Sequence, residues 1–161
     1  MPPKPMCSVE IVRNGGRRGI AFLIFQSNEA VTARTIFDTL GEKDKRWFNS
    51  IFDHWVAGGN PNDKWFHRWD QDAFKGQYTQ CLVFKHRSHK HRFYGFLCHP
   101  KETDKSYEQC VLTVYANKGV WETDERSLRA CEDMRCNTNV QMATKMPFNK
   151  SGKEESRNGS N

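Results

Sequence analysis

Basic and imidazole side chains crowd a short segment between two apolar runs, CLVF at residues 81–84 and FYGF at residues 93–96. Seven of the eight residues from 85 to 92 are lysine, arginine or histidine: Lys85, His86, Arg87, His89, Lys90, His91 and Arg92. Such a cluster can hold a phosphodiester backbone, and its imidazoles can transfer protons near neutral pH. The alternative is a charge-rich turn that contacts only water. The segment is therefore the first candidate for a functional site.

These residue types suit cleavage of RNA without a metal ion or other cofactor. The 2′-hydroxyl must lose a proton, the 5′-oxygen must gain one, and cations must stabilise the charge that develops around phosphorus. His89 and His91 are candidate acid and base groups, since residues two apart in a strand project from the same face. Lys85, Arg87 and Lys90 are candidate phosphate ligands, with arginine the better bidentate donor.

The composition is that of one basic domain with a tail. The 161 residues carry 25 Lys and Arg against 19 Asp and Glu, a formal charge of +6, which favours anionic partners such as nucleic acid or an acidic protein. No apolar run approaches the length needed to span a bilayer, and the first ten residues lack the apolar core of a secretory signal. We expect a cytoplasmic protein with no membrane partner and with six free thiols.

In the first part of the chain, hydrophobic periodicity predicts two strands followed by two helices. Residues 8–25 read as a β-hairpin about Asn14-Gly15-Gly16, with a buried second strand in the apolar run at residues 20–25. Apolar residues then recur at helical spacing over residues 29–40 and 42–57, which predicts a helical hairpin. Ser27 or Asn28 would cap its first helix, and Gly41 would end it.

The second half of the chain predicts three strands and a helix. Strands are expected at residues 77–84, 92–99 and 109–115, and a helix opens at Thr123. Residues 1–137 form a single predicted domain, and residues 138–161 read as a polar, disordered tail. The order of elements favours an α+β fold whose antiparallel sheet is covered by helices on one face.

This order, together with several local motifs, resembles the RelE/ParE toxin superfamily, particularly its HigB-like branch. The motifs are AGGN at the end of the second helix (57–60), FHRW followed by GQYTQCL (66–69 and 76–82), HRFYGF (91–96), VLTVYANK (111–118) and the helix at 123–135. The resemblance implies an antiparallel sheet packed against an N-terminal helical hairpin, with a short C-terminal helix. The expected Glu-Leu-Arg motif is replaced here by residues that include Gln80 and Lys85.

The resemblance also implies a function. Members of this family commonly cleave mRNA, many of them on the ribosome, and an antitoxin protein neutralises them. It implies that Arg92 stabilises the transition state and that Lys118, at the end of the neighbouring strand near the same edge of the sheet, is a further catalytic residue. On this interpretation Arg92→Ala lowers cleavage by ~100-fold and leaves the fold intact.

Two other interpretations stay open on the sequence. The same scaffold can be a non-catalytic RNA- or protein-binding module, or an inhibitor from a phage or mobile element that docks on a host protein. A zinc site has only weak support. Cys98, His99 and Cys110, or Cys131 with Cys136, supply ligand types but lack the paired Cys-x-x-Cys spacing. We therefore predict no metal site.

Overall fold

The computed structural model describes residues 7–26, 32–59, 65–88, 90–117 and 125–159, with side chains described as far as residue 149. Two predicted catalytic residues, His89 and Lys118, lie outside these ranges. The two predicted helix caps, Ser27 and Asn28, lie outside them too.

The predicted N-terminal hairpin is confirmed. Strand β1 (Cys7–Asn14) pairs antiparallel with β2 (Arg18–Phe25), and the Gly15 N–H donates to the Arg18 carbonyl at 2.9 Å across the turn. Residues 19–23 of β2 are all buried, so this strand is apolar on both of its faces. A strand of that kind belongs in the interior of a sheet between two others.

Two helices follow the hairpin. Helix α1 (Ala33–Thr39) begins at a capping box in which Thr32 and Thr35 exchange side-chain and backbone hydrogen bonds. Gly41 is the N-cap of α2 (Glu42–Val56). The predicted stripe of α2 packs into the core through Phe48, Ile51, Phe52 and Trp55, and burying each such side chain stabilises the fold by about 1.5–3 kcal/mol.

The remaining elements include three short features that the sequence pattern did not reveal. Strands β5 (His91–Cys98) and β6 (Glu108–Asn117) match the predicted ones, and α3 (Glu125–Cys136) matches the predicted helix. Strand β4 (Cys81–Lys85) begins later than predicted, because residues 77–80 form a turn. In addition, β3 (Phe66–Arg68) pairs with β4, a 3-10 turn covers Ala73–Gly76, and β5 carries a register shift at Tyr94/Gly95.

The predicted fold, an antiparallel RelE-like sheet against an N-terminal helical hairpin, is wrong. Two strands precede the helices, and the six strands form a mixed sheet in the order β1-β2-β6-β5-β4-β3. Strand β2 runs parallel to β6, and the other pairs are antiparallel. The physical reason lies in β2, whose two buried faces place it between β1 and β6 instead of at an edge.

Helices cover both faces of this sheet, not one as predicted. Alternate residues of the strands point to opposite faces. On one face α1 and α2 bury Phe22, Phe84 and Phe93, and on the other α3 and α4 bury Val83, Tyr94 and Val111. We call these the α2 face and the α3 face.

The C-terminal region contains a second helix where the sequence predicted a polar tail. Only Asn137 separates the end of α3 from helix α4 (Thr138–Gly159), whose Val140 and Ala143 are buried in the core of the α3 face. Two small apolar residues were too weak a pattern to reveal this contact from the sequence. None of the helices in the described part of the chain is both long enough and apolar enough to cross a bilayer.

Candidate functional site

Residues 86–90 connect strands β4 and β5, and we call the described ones, residues 86–88 and 90, the basic turn. Lys85 of β4 pairs with Arg92 of β5, and the His86 N–H donates to the His91 carbonyl at 2.9 Å. Strand alternation sends Lys85 and Arg92 to the α3 face, whereas His86 and His91 point to the α2 face. The basic residues of this segment are therefore divided between the two faces of the sheet.

On the α2 face one carboxylate lies between two imidazoles. Asp44, in the first turn of α2, places Oδ1 2.7 Å from His86 Nε2 and Oδ2 3.7 Å from His91 Nε2. The two rings meet edge to face with centroids 5.6 Å apart. His86 is buried beneath Trp47 and Phe48, whereas about a fifth of the His91 side chain is exposed (21%). His91 is the imidazole that an outside molecule can reach.

A phenol completes this cluster from the neighbouring strand. His91 Nδ1 lies 2.6 Å from the Tyr115 hydroxyl oxygen on β6. Burial lowers the pKa of His91, and the nearby His86 and Lys90 act in the same direction against the opposing effect of Asp44. Burial and Asp44 raise the pKa of Tyr115. At neutral pH the pair therefore consists of a neutral imidazole, which can accept a proton, and a neutral phenol.

On the α3 face two cations lie side by side. Burial and the charge of Arg92 lower the pKa of Lys85. Burial also lowers the pKa of His67, and the charge of Lys85 adds a smaller effect in the same direction. Arg92 is 1% exposed, so no ligand reaches its guanidinium in this conformation. The sequence placed Arg92 beside the acid–base residues at a phosphate, but the structure puts it on the opposite face from His91 and inside the core.

The basic turn lies at the end of the sheet, where β4 meets β5, and carries the accessible cations. Arg87, Ser88 and Lys90 are exposed, and the Arg87 guanidinium lies 5.8 Å from the centre of the Trp47 ring. The Trp47 indole N–H donates to the Lys85 carbonyl at 3.0 Å, which ties α2 to the end of β4. Of the predicted phosphate ligands, Arg87 and Lys90 are thus in reach of solvent near His91.

Sequence reasoning selected His91 but missed its partners. His86 belongs to the same basic run, yet nothing in the run distinguishes a buried imidazole from an exposed one. Asp44 and Tyr115 come from α2 and β6, and no local motif marks either of them. One signal was available: Asp44 is an acid in the first turn of a helix whose apolar stripe predicts packing on the sheet.

The cluster does not have the geometry of a metal centre. Both Nε2 atoms face carboxylate oxygens of Asp44, and the His86–Asp44 separation is that of a hydrogen bond. Within the described ranges, no group of three or more His, Cys, Asp or Glu side chains is arranged to hold a metal ion.

Comparison with known proteins gives no relative from which a role can be transferred. No family model matches the chain, and neither a curated protein nor a solved structure matches it. The evidence for the chemistry of this site therefore comes from its own residues.

Proposed function

We propose that this protein cleaves RNA by acid–base catalysis, with His91 as the base that removes the proton from the 2′-hydroxyl. The observation that carries the proposal is the Asp44–His86–His91–Tyr115 cluster beside the exposed cations of the basic turn. A partly exposed imidazole held by a carboxylate and a phenol is suited to proton transfer near neutral pH.

Each residue of the site has a distinct part in this reaction. Arg87 and Lys90 bind phosphate oxygens and stabilise the charge that develops as the 2′-oxygen attacks phosphorus. His91 takes the 2′-hydroxyl proton, and the Tyr115 hydroxyl keeps the ring in place. Buried His86 fixes the Asp44 carboxylate, so that the charge formed on His91 meets a positioned counter-ion. The departing 5′-oxygen takes its proton from water, His91 then gives the proton it received to the solvent, and a 2′,3′-cyclic phosphate remains.

The test is cleavage of a labelled single-stranded RNA by the purified protein and by His91→Ala. We expect the variant to cleave at least ~100-fold more slowly, which is the usual scale of a lost acid–base group. His99→Ala is the matched control, since this exposed histidine lies after the other end of β5. An RNA with 2′-deoxyribose at the cleaved position should stay intact. The mechanism would be refuted if the deoxy-substituted RNA were cleaved as fast as the all-ribose RNA. It would also be refuted if His91→Ala cleaved as fast as the wild-type protein.

The motif resemblance to RelE/ParE toxins supplies a biological setting for this reaction. On that basis we propose that the RNA is mRNA, including mRNA on the ribosome, and that an antitoxin protein blocks the site. Induced expression in a bacterial host tests this setting, because a toxin of this kind arrests growth and its His91→Ala variant does not. Equal growth arrest by both proteins would mean that the toxicity does not come from the proposed chemistry.

A non-catalytic RNA-binding module is the second candidate, and a specific observation favours it. Lys85 and Arg92 lie on the opposite face from His91, so these cations do not converge with the imidazole on one phosphate. Binding of the same RNA measured by fluorescence anisotropy separates the two functions. Salt-sensitive binding without cleavage, unchanged by His91→Ala, would select the binding module.

A further inference from the structure

Ser88, His86 and Asp44 form a continuous hydrogen-bonded chain. Ser88 Oγ is 2.7 Å from His86 Nδ1, and His86 Nε2 is 2.7 Å from Asp44 Oδ1. From this geometry we propose a second activity: Ser88 is an activated nucleophile that takes acyl groups from small anionic carboxylic esters. The proposal does not depend on RNA cleavage, which rests on His91.

The tautomer of the neutral His86 ring follows from a backbone hydrogen bond. The Ser88 N–H donates to His86 Nδ1 at 3.1 Å. A backbone N–H is only a donor, so Nδ1 must be the acceptor and carries no proton. In the neutral ring the proton is then on Nε2, which faces Asp44. The basic nitrogen of His86 therefore faces the Ser88 hydroxyl, as a general base for a serine nucleophile must.

Accessibility of the three groups also suits this role. Ser88 is exposed on the turn, His86 is buried at 7% exposure, and the Asp44 side chain is one-third exposed. The nucleophile can thus meet a substrate while the base is fixed by packing against Trp47 and Phe48. A carboxylate on the far nitrogen holds the reactive tautomer and stabilises the imidazolium that forms.

The step is a balanced acyl transfer. Ser88 Oγ attacks the ester carbonyl carbon as its proton moves to His86 Nδ1, and the tetrahedral intermediate then expels the alcohol, which takes that proton. Water, deprotonated by the same nitrogen, releases the acid and restores Ser88. The Lys90 N–H, 3.4 Å from Ser88 Oγ, lies beside the reacting centre. The exposed side chains of Arg87 and Lys90 favour an acyl group that bears a carboxylate.

The test uses 4-nitrophenyl hemisuccinate, an anionic activated ester, with neutral 4-nitrophenyl acetate as its comparison. We expect a burst of nitrophenolate equal to the protein concentration, and a succinyl adduct on Ser88 in the peptide mass spectrum. The anionic ester should react at least ~10-fold faster in kcat/KM, because exposed cations attract a charged substrate. Ser88→Ala should abolish burst and adduct, whereas Ser50→Ala, which removes an exposed serine from α2, should retain both.

If His86 only stabilised the turn, folded variants of His86 and Asp44 would acylate at the wild-type rate. The variants Asp44→Asn and His86→Gln should lower the acylation rate at least ~100-fold, with circular dichroism verifying that they fold. An unmodified Ser88 in the wild-type protein, or equal acylation of Ser88→Ala, would overturn the proposal. Equal rates for the two esters would overturn its assignment of an anionic substrate. RNA cleavage by the same preparations is scored separately through His91→Ala, so either activity can fail alone.

Discussion

His91 on β5 and Tyr115 on β6 are joined through Nδ1 and the phenol oxygen at 2.6 Å, although 24 positions separate them in the chain. The contact runs between neighbouring strands on the α2 face, with ring centroids 5.8 Å apart. It fixes the orientation of the most accessible imidazole of the site.

Replacing Tyr115 with phenylalanine should impair cleavage more than folding. The loss of one hydroxyl costs about 1 kcal/mol of stability, but it frees the His91 ring to turn away from the substrate. We expect RNA cleavage to fall at least ~10-fold, measured on the same labelled RNA. Tyr78→Phe is the matched control, because its hydroxyl donates to Glu125 on the α3 face. If both variants cleave alike, Tyr115 does not position the base.

Stability should decrease as the solution is acidified below the ordinary histidine pKa of 6.5. Burial lowers the pKa values of His91 and His67 in the folded protein. The unfolded chain therefore binds more protons than the folded one between the folded and unfolded values, and acid favours unfolding. The contribution is complete above pH 6.5 and is lost as the pH falls through the folded pKa. Urea unfolding at several pH values measures it.

The double variant His67→Gln/His91→Gln should flatten this dependence over the histidine range. Glutamine keeps a polar side chain but does not titrate. If the slope of stability against pH is the same in the variant and the wild-type protein, other groups cause the loss.

RNA binding should depend on salt through the basic turn. Each phosphate contact to single-stranded RNA contributes about 0.7 to the slope of log affinity against log salt concentration. Arg87→Ala/Lys90→Ala should therefore reduce the magnitude of that slope by about 1.4. Lys75→Ala/Lys105→Ala removes two exposed cations from other loops and should leave the slope unchanged. Equal slopes for the two double variants would place the RNA elsewhere.

Burial of Arg92 changes what its substitution should do. The sequence led us to expect Arg92→Ala to keep the fold and lose activity, but the side chain is 1% exposed. Truncation removes a large buried side chain, so we now expect a loss of about 2–4 kcal/mol of stability. Lys85→Ala, on the paired residue of β4, should cost less, because Lys85 is partly exposed. Denaturant midpoints decide this, and a fully stable Arg92→Ala would contradict it.

The thiols should separate into fast and slow groups on alkylation of the native protein. Cys136 is exposed and should react first with iodoacetamide. A hydrogen bond with Cys131 and burial raise the pKa of Cys81, and burial raises that of Cys110. These two should react only after unfolding, because their thiols stay protonated and the reagent cannot reach them. Peptide mass spectrometry over time measures the order. Early labelling of Cys81 would mean that α3 opens from the sheet.

Sequence alone determined most of the elements. The hairpin, α2, three strands and α3 follow from period and turn residues, because local patterns record which side of each element is buried. The apolar run of β2 also indicated a largely buried strand. The sequence did not predict β3, because three residues are too few to show a period. It did not predict the contacts of α4 either, because two small apolar side chains give no periodic signal.

Tertiary structure decided the sheet and the site. The parallel β2–β6 pair depends on how a chain of helices and strands returns to the sheet, which no local pattern specifies. The basic run showed which residues were available for chemistry but not how strand alternation would divide them between two faces. Only packing buried Arg92, exposed part of His91 and brought Asp44 and Tyr115 to that imidazole from other elements. Distances between side chains far apart in the chain are set by the whole fold.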